Sequence, residues 1–509
     1  MKFVALLIVI TCVLPVSAEM ENQAGKVQFA NSGSESAQER FLYGLAQLHN
    51  FEYDSAAEAF QAAQKQDPGF AMAYWAEAMT KNHPIWMEQE ADAARSVLKK
   101  LGATAQERIA KAPTEREKNY LRTIEVLYGK GDKESRDFQY AEAMRDLAKK
   151  YPEDPNAAAF YALSLLGTAH DGRDTATYMR AAAVLEEVFQ KHPQHPGVIH
   201  YLIHCYDDPT HAPLGLRAAH LYSKIAPAAG HAQHMTSHIY IAMGMWDEVV
   251  AANENAVNVV NQQRAANGQP LRYCGHYNFW LEYGYLQQNR IDDAKEVLHK
   301  CYGSAKEQEK SADHMGMTSM DPDATLQTSF LQMRLRYLID TGDWKGEVAS
   351  WDLPSVQNRG ARMNREFTIG FGAAELGKTE EAKASLARLK KLVAEEYSKA
   401  KKSGEEAYRK RADILAIQLD AKIAQGEGRL QQALDLLRDA AAQEENMPFE
   451  FGPPFIDKPS RELLGEILLQ ANQPKEAEKE FQAALLRAPL RAASVQGLAR
   501  CAGRSGKPE

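Results

Sequence analysis

The chain has 509 residues, 45% of them apolar and 25% charged, which excludes a disordered, collagen-like or disulfide-scaffold chain. Its net charge of −8, from 60 basic and 68 acidic residues, leaves no basic surplus for phosphates, so no nucleic acid partner is expected. The length accommodates about three domains or one extended repeat array.

Residues 1–18 have the three-part form of an export signal. Met1-Lys2 carries positive charge, Phe3 to Leu14 is almost wholly apolar, and Val16-Ser17-Ala18 offers small residues for cleavage. That apolar run is too short to span a bilayer, and no later run reaches the roughly 18 residues that a span requires. Cleavage near Ala18 predicts a periplasmic or secreted product with no membrane span. Residues 19–38 are polar and read as a loose leader. From 39 to 502 the hydrophobic period is helical, predicting an all-α chain. Residues 103–130 hold two helices outside the main pattern, the second opened by the capping box Thr114-x-x-Glu117. Stretches near 262–274, 303–324 and 446–459 read as insertions, and 503–509 as a tail.

Spacing repeats along this helical stretch. Near its start the chain reads Gly44…Ala56-x3-Phe60-x2-Ala63-x4-Pro68, and near its end Gly465…Ala477-x3-Phe481-x2-Ala484-x4-Pro489. Gly370…Ala382-x3-Leu386 and Ala421…Ala433-x3-Leu437 fit the same template. This resembles the tetratricopeptide repeat (TPR), a 34-residue helix–turn–helix unit. One such unit cannot bury its apolar face alone, so the units are expected to stack into a right-handed superhelical solenoid. The segments NHPIW (Asn82–Trp86), HYLIHCYDDP (His200–Pro209) and HMTSHIY (His234–Tyr240) are also similar to those of exported bacterial TPR proteins, which implies a shared groove site.

The resemblance implies that positions 2, 5, 9, 12 and 13 of the first helix of each hairpin face a concave groove. Counting from Pro68, Pro155, Pro193 and Pro227 as position 32, and from Ala294 as position 20, places His83, His170, His200, His204, His231, His234, His238 and His276 there. These are eight of the 15 histidines, where chance would place about two. His200-x3-His204 and His234-x3-His238 each put two imidazoles on one helical face. The second pair follows the first by 34 residues. Asp207 and Asp208 fall at positions 12 and 13, and Asp171 follows His170. His200, His204, His234, His238, Asp207 and Asp208 therefore form the expected metal set, suited to zinc, iron, manganese or copper. His83, His170, Asp171, His231 and His276 are expected to line the groove around them. The same residues also suit a polar groove without metal, or a histidine-rich core.

Two function classes follow. The first is an exported scaffold that binds a peptide, protein or metal-bearing partner in the histidine-lined groove. The alternative is a metal-dependent enzyme, with Asp207, Asp208 or Glu282 as its acid–base residue. No phosphate loop, G-x-S-x-G elbow or HExxH is present. His314, Met315, Met317 and Met320 offer ligands for copper(I). Cys205 adjoins His204, but neighbouring residues on a helix point about 100° apart and make a poor dyad. No CxxC occurs. In the repeat register Cys301 is position 27 and Cys274 immediately precedes position 1, at the adjoining ends of one hairpin. Export permits disulfides, so Cys274–Cys301 is the expected bridge.

Overall fold

Small residues decide where the helices cross. In a computed structural model, helices Glu35–His49 and Tyr53–Gln66 form the first hairpin. A Cβ on Gly44 would lie 2.7 Å from the Phe60 ring, so only glycine lets the helices approach this closely. Phe60, Ala56 and Ala63 are fully buried in that crossing. Gly465 of helix Ser460–Gln470 meets Phe481 of helix Pro474–Arg487 in the same way, at 3.0 Å.

The structure describes residues 23–310, 325–397 and 405–505. The export segment, residues 19–22, His314, Met315, Met317, Met320 and residues 506–509 lie outside the described residues. Among the described residues there are 23 helices and one short antiparallel ladder, with Asn82 opposite Gln89 and His83 opposite Glu88. Each helix packs chiefly on those before and after it, so the architecture is an all-α, TPR-like array of helical hairpins. Both expected helices in 103–130 form, and Thr114 and Glu117 cap each other's backbone as a capping box. No described helix is long and apolar enough to cross a membrane.

The hairpin turns share one backbone device. Gly244, Asn289, Gly377, Gly428 and Asn472 each stand two residues before a second helix, with φ between 58° and 77°. Glycine and asparagine tolerate this left-handed region. In the first hairpin that place is held by Phe51, at φ 57°. An aromatic residue there carries roughly 1–2 kcal/mol of backbone strain. Its ring has a use elsewhere, as shown below.

Several boundaries differ from those read in the sequence. In the described part of the leader, residues 23–38, Ala24, Val27 and Phe29 are buried, and the first helix already begins at Glu35. Phe29 lies 5.1 Å from Tyr120 and 6.0 Å from Trp75 (ring centroids), with the Arg116 guanidinium 4.2 Å over its ring. Val27 and Phe29 supply two apolar anchors that the surrounding polar residues mask. Helix Trp246–Ala266 runs into the 262–274 insertion, and Ile291–Lys310 into the 303–324 insertion. Nothing in either sequence breaks the helix before Asn267 or Lys310. A disulfide joins Cys274 and Cys301, with Cα atoms 4.8 Å apart.

Both ends of the chain fold back on its middle. Helix Glu35–His49 packs against Pro196–Tyr206, where His49 Nδ1 and the Tyr201 hydroxyl are 3.0 Å apart. Near the other end, Trp246 Nε1 donates to the Leu490 carbonyl and Gln287 accepts from the Ala492 backbone N–H. The 446–459 segment forms no helix or strand and is tied down by buried ion pairs. Asp457 accepts from Arg336 at 2.7 Å and Arg411 at 2.6 Å, and all three side chains are buried.

Candidate metal centre

Three successive first helices build the site. Pro196–Tyr206 carries His200 and His204, Gly230–Ala242 carries His231, His234 and His238, and His276–Gln287 begins with His276. Pro196 sits in the first turn of its helix, where its missing N–H costs nothing. Gly230 fits because a Cβ there would lie 2.6 Å from Val260. Spacings of three and four then keep His231, His234 and His238 on neighbouring faces.

The side chains converge as three overlapping groups: two histidine triads, and a third set of His204, Asp207 and His238 that joins them. Ring nitrogens of His200, His204 and His231 lie within 4.8 Å of one another, and so do those of His234, His238 and His276. Nε2 of His231 is 3.2 Å from Nε2 of His200, and Nε2 of His238 is 3.2 Å from Nε2 of His234. The expected four-histidine set is thereby divided, and each half gains one histidine that had been expected only to line the groove.

Proton positions follow from what the other ring nitrogens touch. His200 Nδ1 donates to the His49 carbonyl at 2.7 Å. His234 Nδ1 donates to Asn253 Oδ1 at 2.7 Å; the amide is fixed in that sense because its Nδ2 donates to the Val249 carbonyl. His238 Nδ1 donates to Asp207 Oδ2 at 3.1 Å, and His204 Nδ1 stands 3.5 Å from the same oxygen. Nδ1 of His200, His234 and His238 thus donate to oxygen acceptors, which leaves their Nε2 atoms as lone pairs; that of His200 faces Nε2 of His231, whose Nδ1 stands 3.4 Å from the Tyr277 hydroxyl. Nε2 of His204 is buried with no hydrogen-bond partner. His234 and His238 aim two lone pairs at each other. Only a shared proton or a cation makes that contact favourable.

Burial opposes the proton. His200, His231 and His234 are held well below the usual imidazole range by burial, then by neighbouring histidines. Burial also lowers His238, although Asp207 pulls the other way. Asp207 stays ionised: burial would raise its carboxyl, but Arg173 and hydrogen bonds from His204 and His238 hold it well below the usual carboxylate range. Acceptors on the far ring nitrogens, with a carboxylate among them, are the arrangement that orients imidazoles toward a metal.

Aromatic rings cover the site. Phe51 lies 4.3 Å from His200, 5.6 Å from His231 and 5.8 Å from His204 (ring centroids). Phe451, on the 446–459 loop, lies 4.8 Å from His238, and Trp280 lies 4.7 Å from His234. As a result His200, His204, His231, His234 and His238 are at most 2% exposed, and of the two triads only His276 reaches solvent. Nothing local marks Phe51 and Phe451 as site residues, except that Phe51 replaces glycine or asparagine in a turn.

The remaining expected residues lie elsewhere. Asp208 pairs with Arg173 and with His211, both at 2.8 Å, and joins neither triad. His170 contacts Asp137 at 2.9 Å. Its placement in the groove fails because helix Pro155–Leu166 begins at Pro155, as Pro196–Tyr206 begins at Pro196. Pro152, not Pro155, therefore closes the preceding unit, and His170 falls three positions later, outside the helix. Asp171 is exposed. His83 lies beyond the end of helix Ala71–Met79, in the short ladder, 4.2 Å from the Tyr53 ring (centroids). Glu282 is fully buried, raised well above the usual range by burial, and surrounded electrostatically by Arg336, Asp340 and Asp457 instead of the histidines. Burial pushes the Cys205 thiol far up, which removes it as a nucleophile.

No family model and no curated protein matches this chain. Among solved structures it is similar to the Cut9–Hcn1 hetero-tetramer of the APC/C, at 13% identity and a TM-score of 0.34, covering 93% of this chain and 78% of that one. Yeast Tom70 is similar at 11% identity and a TM-score of 0.31, covering 92% and 88% respectively. Human IFIT1 gives 13%, 0.30, 83% and 93% in the same order. Likenesses this remote bear on neither the site nor its partner.

Proposed function

We propose that this chain is an exported helical-repeat protein that holds a first-row transition metal in its buried histidine cluster. One observation carries the reading. His234 and His238 face each other through Nε2 at 3.2 Å, while both Nδ1 protons are engaged by Asn253 and Asp207. Two imidazoles bound to one tetrahedral ion at about 2.0–2.1 Å stand about 3.3 Å apart, which matches. An all-imidazole ligand set suits zinc, copper or iron. Manganese, which favours carboxylate oxygens, fits less well, because Asp207 is turned toward the Nδ1 side of the rings. The export pattern of residues 1–18 supports delivery to a periplasm or beyond.

A metal-dependent enzyme remains the second reading. Three imidazoles leave a tetrahedral ion one open position, and His276 connects that triad to solvent. A peptide or protein partner meets His276 first, because Phe51 covers His200, His204 and His231 and Phe451 covers His238. The test is elemental analysis of untagged protein after dialysis. Stoichiometric metal that falls in a His234→Ala, His238→Ala double variant supports the reading. A protein that stays metal-free even after incubation with zinc and copper overturns it.

A further inference from the structure

We infer that the cluster holds two metal ions in two repeat-related sites, one formed by His200, His204 and His231, the other by His234, His238 and His276. This rests on the metal reading above and extends it. The repeat register carries it. His200 and His204 are positions 5 and 9 of one unit, and His231 is position 2 of the next. His234 and His238 are again positions 5 and 9, and His276 is again position 2 of the unit that follows. Each site is therefore one rule applied to one pair of adjacent units: two imidazoles a helical turn apart, closed by the first-turn histidine of the neighbouring helix.

Geometry follows the same division. Each triad brings its ring nitrogens within 4.8 Å, and each contains its own 3.2 Å contact between Nε2 atoms. Those two contacts share no residue. The rule also stops where the histidines stop. With helix Pro155–Leu166 aligned on its first proline, positions 5 and 9 are Ala159 and Leu163; in the unit starting at Gly275 they are Phe279 and Tyr283. The position 2, 5 and 9 rule therefore yields two all-histidine sites in this run of units; His204, Asp207 and His238 form a further group between them.

The sites are not independent. Asp207 Oδ2 faces Nδ1 of both position-9 histidines, His204 at 3.5 Å and His238 at 3.1 Å. One carboxylate thus orients one ligand of each ion. Its other oxygen is held by Arg173, which fixes it between the two rings.

A cobalt(II) titration of the untagged, chelator-stripped chain, followed by its d–d absorption, tests this. The expected breakpoint is two equivalents per chain, with one remaining in His231→Ala and one remaining in His276→Ala. His276 is the exposed member of its triad, with its ring 4.5 Å from His234 and 5.3 Å from Trp280 (centroids). A wild-type breakpoint at one equivalent overturns the two-site inference and leaves the metal reading standing. Two equivalents that persist in both variants also overturn it. No binding at all overturns the metal reading itself, so the two failures are distinct. The wild-type breakpoint decides the stoichiometry even if a variant folds poorly.

Discussion

Replacing Phe51 separates what its ring does from what its backbone endures. The ring is 4% exposed and covers three histidines, so Phe51→Ala should cost about 3–5 kcal/mol, as for other buried phenylalanines. Alanine keeps the strained left-handed backbone at φ 57°. Phe51→Gly loses the same ring but relieves that strain, worth roughly 1–2 kcal/mol. Glycine should therefore be the more stable replacement by about 1 kcal/mol, the reverse of the order at ordinary sites, where glycine is worse by roughly 0.5–1 kcal/mol. Urea midpoints of the metal-free chain, followed by circular dichroism, read the order. Both variants should also surrender metal to a chelator faster than wild type, because the cover is gone. Equal stability, or alanine above glycine, would refute the idea that this turn accepts strain to place the ring.

Four further outcomes are expected. Asp207→Asn should weaken metal binding by about 10–100-fold in competition with a chelator, because the carboxylate that orients His204 and His238 is lost. Gly452→Ala should speed metal release and lower the melting temperature: Gly452 has φ 94° and packs on Trp280, so a methyl group there pushes the 446–459 loop and Phe451 off the site. Cys274→Ser should lower the stability of the oxidised protein by about 2–4 kcal/mol and leave the reduced protein unchanged, read by urea midpoints with and without reductant. His195 is held well below the usual imidazole range, chiefly by burial, so below about pH 6.5 the unfolded chain takes up a proton that the native state refuses. Stability should accordingly fall as pH drops below that value, and His195→Asn should make the fall shallower in thermal melts across pH 5 to 7.5.

Local pattern and long-range closure divide what the sequence reveals. The Gly44–Phe60 and Gly465–Phe481 crossings are read directly, because each depends on a small residue facing a ring within one hairpin. The histidine row is equally legible, since a spacing of four fixes a helical face and a spacing of 34 repeats it. The division into triads was hidden. Position 2 of one helix reaches back to positions 5 and 9 of its predecessor, a contact set by how the helices stack. Phe51 and Phe451 come from units far away in sequence, and no periodicity announces that the ends of the array fold onto its middle. His170 went astray for a simpler reason: Pro152 and Pro155 both suit a repeat boundary, and only the helix start at Pro155 tells them apart.

Anomalous X-ray scattering at the metal edge, from crystals of the untagged chain grown with zinc, tests the central claim most directly. The account predicts anomalous density about 2.0–2.1 Å from Nε2 of both His234 and His238. No peak between those rings, with the two nitrogens instead joined through a proton, would contradict it.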